Sequence, residues 1–143
     1  MQLKENGQKS LKQSKINKKF VYLISPNKIK SSSFYIDLEK VLKSKKVSFF
    51  QLRLKNETNR NKISIGKKIK KICKKYRVKF LINDEPYLAK KLNADGCHIG
   101  QKDMDFISAR KILGKNKIIG VTCHNSKKLA LKAKKHGANY VAF

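Results

Sequence analysis

Short apolar segments alternate with lysine-rich helical patterns along most of this chain, and this alternation is its strongest structural constraint. Runs rich in β-branched and aromatic residues predict strands, and the amphipathic spacing between them predicts helices with one apolar face. The predicted strands occupy residues 20–24, 47–55, 79–82, 95–99, 117–122 and 139–143. Because regular alternation of strands and helices is typical of parallel sheets, the predicted fold class is α/β.

The chain has 143 residues, which is enough for one domain with a hydrophobic core. We expect residues 20–143 to form that domain. Residues 1–19 are polar and basic and lack a periodic apolar face, so we interpret them as a basic N-terminal tail or a short covering helix.

The second predicted strand changes character along its length. Since side chains alternate between the two faces of a strand, one face carries only apolar side chains, namely Phe50, Leu52 and Leu54. The other face begins apolar and ends in polar and cationic groups, in the order Val47, Phe49, Gln51, Arg53 and Lys55. A packed core below a polar top is what a strand of an α/β barrel requires, and the polar triplet suits a phosphorylated ligand. The alternative is a solvated strand end in a lysine-rich protein.

Polar side chains also follow the other predicted strands at their carboxyl ends. They are Asn83, Asp84, Gln101, Asp103, Thr122 and His124. Because the carboxyl ends of parallel strands share one rim, we expect these groups to converge. Two carboxylates beside two cations suit Mg²⁺ and a phosphorylated ligand. The alternative is that Asp84 and Asp103 each cap the helix that follows.

The chain is strongly basic, with 36 Lys plus Arg against 9 Asp plus Glu and a net charge of +27. Such a charge attracts nucleic acid, acidic lipid or phosphorylated metabolites. The lysines are spread over the outer faces of the predicted helices, whereas charge that means nucleic-acid binding is usually clustered. We therefore favour a lysine-biased composition, without a nucleic-acid partner, over a basic nucleic-acid-binding module.

Three cysteines, Cys73, Cys97 and Cys123, lie within predicted elements, and their odd number favours buried thiols in a reducing compartment. Cys97-His98 and Cys123-His124 are poor zinc ligands because adjacent strand residues point to opposite faces. No apolar run approaches the ~18 residues that span a bilayer, and the N-terminus lacks a signal core. We expect a cytoplasmic protein without a membrane partner.

Several linked motifs resemble those of the thiamine-phosphate synthase family, which includes the related thiazole tautomerases. They are Gln51-x-Arg53-x-Lys55, Asn83-Asp84, Ala94-Asp95-Gly96-x-His98-x-Gly100-Gln101-x-Asp103, Gly120-Val121-Thr122-x-His124 and Gly137-Ala138-Asn139-Tyr140. The likeness extends from about Tyr22 to Phe143. It implies a TIM (β/α)8 barrel and a transferase of thiamine biosynthesis, which couples hydroxymethylpyrimidine diphosphate to thiazole phosphate and releases diphosphate.

The resemblance also implies a role for each matching residue. The residues that would bind the pyrimidine diphosphate are Gln51, Arg53, Lys55, Asn83 and Thr122, the last at a position where the family commonly has serine. Mg²⁺ would bind to Asp84 and Asp103. Arg53 and Lys55 would stabilise the leaving diphosphate in a dissociative reaction that requires no general base.

The chain is short for this fold. A full barrel needs eight βα units and ~200–250 residues, whereas about six units are predicted here. The glycine-rich loop and the thiazole phosphate loops of the family have no counterpart. We therefore expect a truncated member that alone turns over poorly or not at all.

Two alternatives remain within the same fold. One is a thiazole tautomerase-like isomerase, which is disfavoured because those relatives usually lack the motif seen here as Gly100-Gln101-Lys102-Asp103. The other is a non-catalytic remnant of a split barrel. The sequence leaves assembly into a homo-oligomer open.

Overall fold

The computed structural model describes residues 20–143, in which six strands alternate with five helices. The strands are β1 Val21–Ile24, β2 Val47–Leu52, β3 Lys79–Asn83, β4 Gly96–Ile99, β5 Ile118–Thr122 and β6 Tyr140–Ala142. The helices are α1 Ser33–Lys43, α2 Asn59–Lys75, α3 Pro86–Lys91, α4 Phe106–Leu113 and α5 Lys127–Lys135. Residues 1–19, interpreted above as a basic N-terminal tail or a short covering helix, lie outside the described residues.

All six strands pair in parallel, in the order in which they occur in the chain, and form one sheet. The predicted α/β class is confirmed. The sheet is curved. This is evident from the hydroxyls of Tyr22 in β1 and Tyr140 in β6, which lie 2.6 Å apart although these two edge strands do not pair. The described region is thus a half-barrel of six strands, and a closed barrel of eight is not seen within it.

The five helices cover the convex face of the sheet, where the hydrophobic core lies. Alternate strand residues such as Phe80 and Ile82 of β3 face the helices and are almost fully buried. Ile69 and Cys73 of α2 lie one turn apart on its apolar face and join the same core. The amphipathic pattern therefore predicted correctly which face of this helix packs on the sheet.

Strand β2 differs from its sequence pattern in two respects. Its register against β1 shifts, so that Val21 pairs with Val47 while Tyr22 pairs with Phe49, and Ser48 is the extra residue. Val47 consequently belongs to the core beneath the helices, and its predicted place on the inner face is wrong. The strand also ends at Leu52 rather than at residue 55, which leaves two of the polar residues in the following turn.

Three helices begin with a side-chain cap, and none of these caps is one of the predicted site carboxylates. Thr58 accepts a hydrogen bond from the backbone of Asn61 in α2, and Ser126 does the same for Leu129 in α5. Asp105 caps α4, whereas Glu85 precedes α3 without a capping hydrogen bond. The alternative that Asp84 and Asp103 cap the helices that follow them is therefore not observed.

No helix between residues 20 and 143 combines the length and the apolar character that crossing a bilayer requires.

Candidate functional site

The concave face of the half-barrel forms a groove of about 920 Å³. Four of the seven predicted site residues line it, namely Gln51, Arg53, Asn83 and Thr122. They come from β2, β3 and β5 or from the turns that follow, because parallel strands direct their carboxyl ends to one rim. The groove also contains His98, Tyr22 and Tyr140.

Gln51 and Asn83 join neighbouring strands across the floor of this groove. Gln51 is buried, and its Nε2 donates a hydrogen bond of 2.5 Å to Oδ1 of Asn83. Nδ2 of Asn83 in turn donates to Oδ2 of Asp84, also at 2.5 Å. The two amides therefore lead directly from the groove to the first of the predicted carboxylates.

Asp84 and Asp103 lie close enough to share a hydrogen bond and to repel each other when both are ionised. Partial burial and the neighbouring Asp103 raise the pKa of Asp84 to about 6, while Lys55 and the hydrogen bond from Asn83 oppose this shift. Oδ2 of Asp103 accepts a hydrogen bond of 2.8 Å from the backbone N–H of Gly100. The turn after β4 thus holds one carboxylate beside the other, which follows β3.

This pair fits a magnesium ion in its donor chemistry. Mg²⁺ is usually held by one or two carboxylates together with substrate phosphates, and it retains several waters. Between residues 20 and 143 no group of three or more His, Cys, Asp or Glu side chains forms a complete metal cage. Two adjacent carboxylates, of which Asp84 has a raised pKa, with few other protein ligands, suit an ion that arrives with a phosphorylated ligand.

The two predicted cations lie on either side of Asn83. Arg53 faces the groove, where its guanidinium donates to Oδ1 of Asn27 and its backbone N–H donates to Oγ of Ser25 at 2.9 Å. Lys55 lines a separate cavity of about 290 Å³, which also includes Asn83 and Asp84. The loop after β1 therefore positions the guanidinium, and the turn after β2 places the ammonium near the carboxylates.

Three groove residues were missing from the predicted site, namely Tyr22, His98 and Tyr140. His98 Nε2 lies 2.7 Å from Oγ1 of Thr122, and its Nδ1 lies 2.9 Å from the hydroxyl of Tyr140. Burial lowers the pKa of His98, whereas burial raises the pKa of Tyr22 to about 12 and raises that of Tyr140 as well. All three groups are therefore neutral near neutral pH.

A signal for these residues was present in the sequence, because each occupies an inward position of its strand. His98 pairs with Asn83 and with Gly120 in the parallel register. Gly120 has no side chain, and the ring of Tyr140 occupies the space that a Cβ there would fill. His124, by contrast, is exposed and lies outside the groove.

The wall of the groove is aromatic. The rings of Tyr22 and Phe49 stack with their centroids 5.6 Å apart, and the rings of His98 and Tyr140 stack at 5.5 Å. Flat apolar walls with a few directed polar groups suit a heteroaromatic ring. The groove can therefore hold such a ring, with Asp84 just outside it and hydrogen-bonded to the groove residue Asn83.

Comparisons with known proteins show which family this chain resembles. The profile of the family described as thiamine monophosphate synthase matches residues 21–143. The thiamine-phosphate synthase of Pelagibacter ubique is 76% identical over 133 residues, which cover 93% of this chain and 64% of that protein. The corresponding protein of Clostridium acetobutylicum is 40% identical over 122 residues, which cover 85% of this chain and 57% of that protein.

A solved structure is similar as well. Thiamine phosphate pyrophosphorylase from Pyrococcus furiosus superposes with a TM-score of 0.75 at 30% sequence identity, covering 85% of this chain and 58% of that one. The chain thus spans between 57% and 64% of the length of these relatives. Since the matched region includes every described strand and helix, the chain belongs to the thiamine monophosphate synthase family.

Proposed function

We propose that this chain carries the pyrimidine diphosphate site of a thiamine-phosphate synthase, a transferase that joins hydroxymethylpyrimidine diphosphate to thiazole phosphate and releases diphosphate. The observation that carries the proposal is the chain of contacts from the aromatic groove to the paired carboxylates, through Gln51, Asn83 and Asp84. It joins a place for a flat ring to a place for a metal-bound diphosphate.

In this proposal each polar residue has a defined role. Gln51, Asn83 and Thr122 bind the pyrimidine, while Arg53 and Lys55 bind the diphosphate and stabilise the charge that develops on it as it leaves. Asp84 and Asp103 hold Mg²⁺, which when bound neutralises the same negative charge. The aromatic walls exclude water from the pyrimidine side of the groove.

The same proposal includes the finer points of fold and setting. Residues 20–143 contribute five βα units and a sixth strand to a TIM barrel of the (β/α)8 type, whose strand order they already follow. The partners are the two phosphorylated small molecules rather than nucleic acid or a membrane. Three buried free thiols favour a reducing, cytoplasmic environment.

The presence of Asp103 beside Asp84 supports the synthase over the tautomerase-like alternative. An isomerase that binds no diphosphate has no need of two adjacent carboxylates, whose mutual repulsion is a cost without a cation. The proposal therefore keeps Mg²⁺ and diphosphate as parts of one site.

Calorimetric titration of the 143-residue chain with the pyrimidine diphosphate, with and without Mg²⁺, tests this assignment. We expect binding to require Mg²⁺, and Asp84→Asn to weaken it about tenfold or more, which corresponds to ~1.4 kcal/mol. Asp37→Asn on the exposed face of α1 is the matched control and should bind like the unmodified chain. Equal affinity with and without Mg²⁺, together with no effect of Asp84→Asn, would refute the assignment.

A further inference from the structure

Seven side chains form an unbroken series of hydrogen bonds across the concave face. It begins at Thr122 in β5, passes through His98 and Tyr140, crosses to Tyr22 in β1 and returns through Gln51 and Asn83 to Asp84. The six donor–acceptor distances lie between 2.5 and 2.9 Å. We call this series the groove network. It links the residues of the proposed pyrimidine site to one another.

The chemistry of its last member gives the groove network a direction. A carboxylate only accepts hydrogen bonds, so Asn83 presents Nδ2 to Asp84 and its Oδ1 accepts from Nε2 of Gln51. The amide oxygen of Gln51, Oε1, then accepts a hydrogen bond from the hydroxyl of Tyr22. A flip of the Asn83 amide would lose both of its hydrogen bonds, and a flip of the Gln51 amide would set Oε1 against Oδ1 of Asn83.

The donors can also be assigned in the part of the groove network that contains Tyr22, Tyr140 and His98. Since Tyr22 uses its only hydrogen toward Gln51, Tyr140 donates to the oxygen of Tyr22. The oxygen of Tyr140 therefore accepts, and Nδ1 of His98 carries the ring hydrogen. In the neutral ring Nε2 is then a bare acceptor, to which Thr122 donates.

This direction decides what the groove offers to a ligand. The hydrogen of the Thr122 hydroxyl is committed to His98, so the hydroxyl presents only lone pairs. Gln51 and Asn83 each retain one N–H that the groove network does not use. The site therefore offers an acceptor on the β5 side and donors on the β2 and β3 side.

We propose that Tyr22, His98 and Tyr140 are positioning residues, which hold the groove network in one direction so that the groove selects an aminopyrimidine over its oxo analogue. An aminopyrimidine offers an amino donor beside a ring-nitrogen acceptor, and this pattern matches the groove. The oxo analogue offers a carbonyl acceptor beside a ring N–H donor, which reverses both contacts. This inference rests on the proposed function and specifies how its ring is recognised.

The tautomer of His98 tests the direction without any ligand. We expect nitrogen-15 NMR of histidine-labelled chain to show His98 protonated on Nδ1 only. His124→Asn and His136→Gln identify the two other histidine signals. Tyr140→Phe removes the acceptor for Nδ1, so the second tautomer should appear, whereas the control Tyr35→Phe on α1 should leave the His98 signal unchanged. Protonation on Nε2 in the unmodified chain would overturn the proposal, as would an unchanged His98 signal in Tyr140→Phe.

Comparing the affinities of the amino and oxo forms of the ligand tests whether the groove selects an aminopyrimidine. In the presence of Mg²⁺ we expect the amino form of the pyrimidine diphosphate to bind roughly 10- to 100-fold more tightly than the 4-oxo form, because reversed contacts leave buried polar groups unpaired. Thr122→Ser keeps the hydroxyl and should keep this preference, whereas the isosteric Thr122→Val should reduce it to a few-fold. Tyr22→Phe, which breaks the groove network farther away, should also reduce it while circular dichroism shows an unchanged fold.

The outcomes separate the two levels of inference. If both forms bind with equal affinity, the recognition by Thr122 is wrong while the proposed function stands. If neither form binds, the proposed function fails, and the recognition inference fails with it. A preference that survives Tyr22→Phe and Tyr140→Phe unchanged would refute the positioning role alone.

Discussion

Asp84 combines three unfavourable features at a single position. It is partly buried, it lies beside the carboxylate of Asp103, and its backbone has φ of 60° in the left-handed region that few non-glycine residues adopt. Such a residue lowers the stability of the ligand-free fold. The cost is reasonable at a site where a cation is to be bound, since the cation converts repulsion into attraction.

The raised pKa of Asp84 predicts how this cost depends on pH. Folding raises the pKa from 3.8 to about 6, so the folded state binds more protons between these values and its stability falls as the pH rises through that window. Asn at this position carries no charge and also tolerates positive φ. We expect Asp84→Asn to raise the melting temperature at neutral pH and to raise it less at about pH 4.

Thermal unfolding in the presence of a chelator measures this difference. Asp37→Asn on α1 is again the matched control, because it removes a carboxylate of which 65% is exposed. Its effect on the melting temperature should be small at both pH values. A lower melting temperature of Asp84→Asn at neutral pH would show that the carboxylate stabilises the fold, contrary to this account.

At the scale of elements, α2 is the helix whose packing the sequence indicates most clearly. Its residue Ile69 is fully buried against the sheet. Ile69→Ala removes buried methyl and methylene groups and leaves a cavity, so we expect a loss of ~2–5 kcal/mol in the free energy of unfolding. Ile36→Ala on α1, where 59% of the isoleucine is exposed, should change this free energy by only ~0.5 kcal/mol or less.

Urea denaturation of the two variants gives both values. The comparison matches the residue type and the type of element, so the difference isolates burial. Similar losses in both variants would indicate that α1 is covered in solution and that its exposed face is an interface.

The elements themselves were predictable from the sequence because their patterns are strong and local. The register shift in β2 was not predictable. The extra residue, Ser48, leaves the apolar pattern of the sequence intact but moves Val47 to the other face of the sheet. The alternation of apolar and polar residues also extended three residues past the true end of that strand. In both cases the pairing with a neighbouring strand, which the sequence pattern does not contain, accompanies the difference: β1 at the register shift and β3 at the end of the strand.

The polar half of the candidate site could be predicted as a group, whereas the aromatic residues could be predicted only as inward strand positions and not as side chains in contact. Gln51, Asn83 and Asp84 lie at or just beyond the carboxyl ends of β2 and β3, so a parallel sheet brings them to one rim. The meeting of Tyr22 with Tyr140 depends on the curvature of the whole sheet, which joins residues 118 positions apart. Curvature arises from strand twist and packing summed over six strands, and no local pattern records it.

At the scale of the whole molecule, the excess positive charge acts on the proposed ligands even though it is not clustered. A net charge of +27 produces a long-range attraction for a diphosphate. The Debye length falls from ~30 Å at 0.01 M salt to ~8 Å at 0.15 M, so this attraction is largely lost at the higher concentration. We expect the association rate of the pyrimidine diphosphate to fall roughly tenfold over this range.

Stopped-flow measurements with two ligands separate this effect from changes in the fold. The pyrimidine alcohol, which shares the ring and lacks the phosphates, carries no charge for the field to attract. Its association rate should therefore stay nearly constant while that of the diphosphate falls. Equal salt dependence of both rates would contradict electrostatic steering and would place the effect of salt on the protein itself. A fall for the diphosphate alone would give the dispersed lysines a kinetic role in substrate capture without any specific contact.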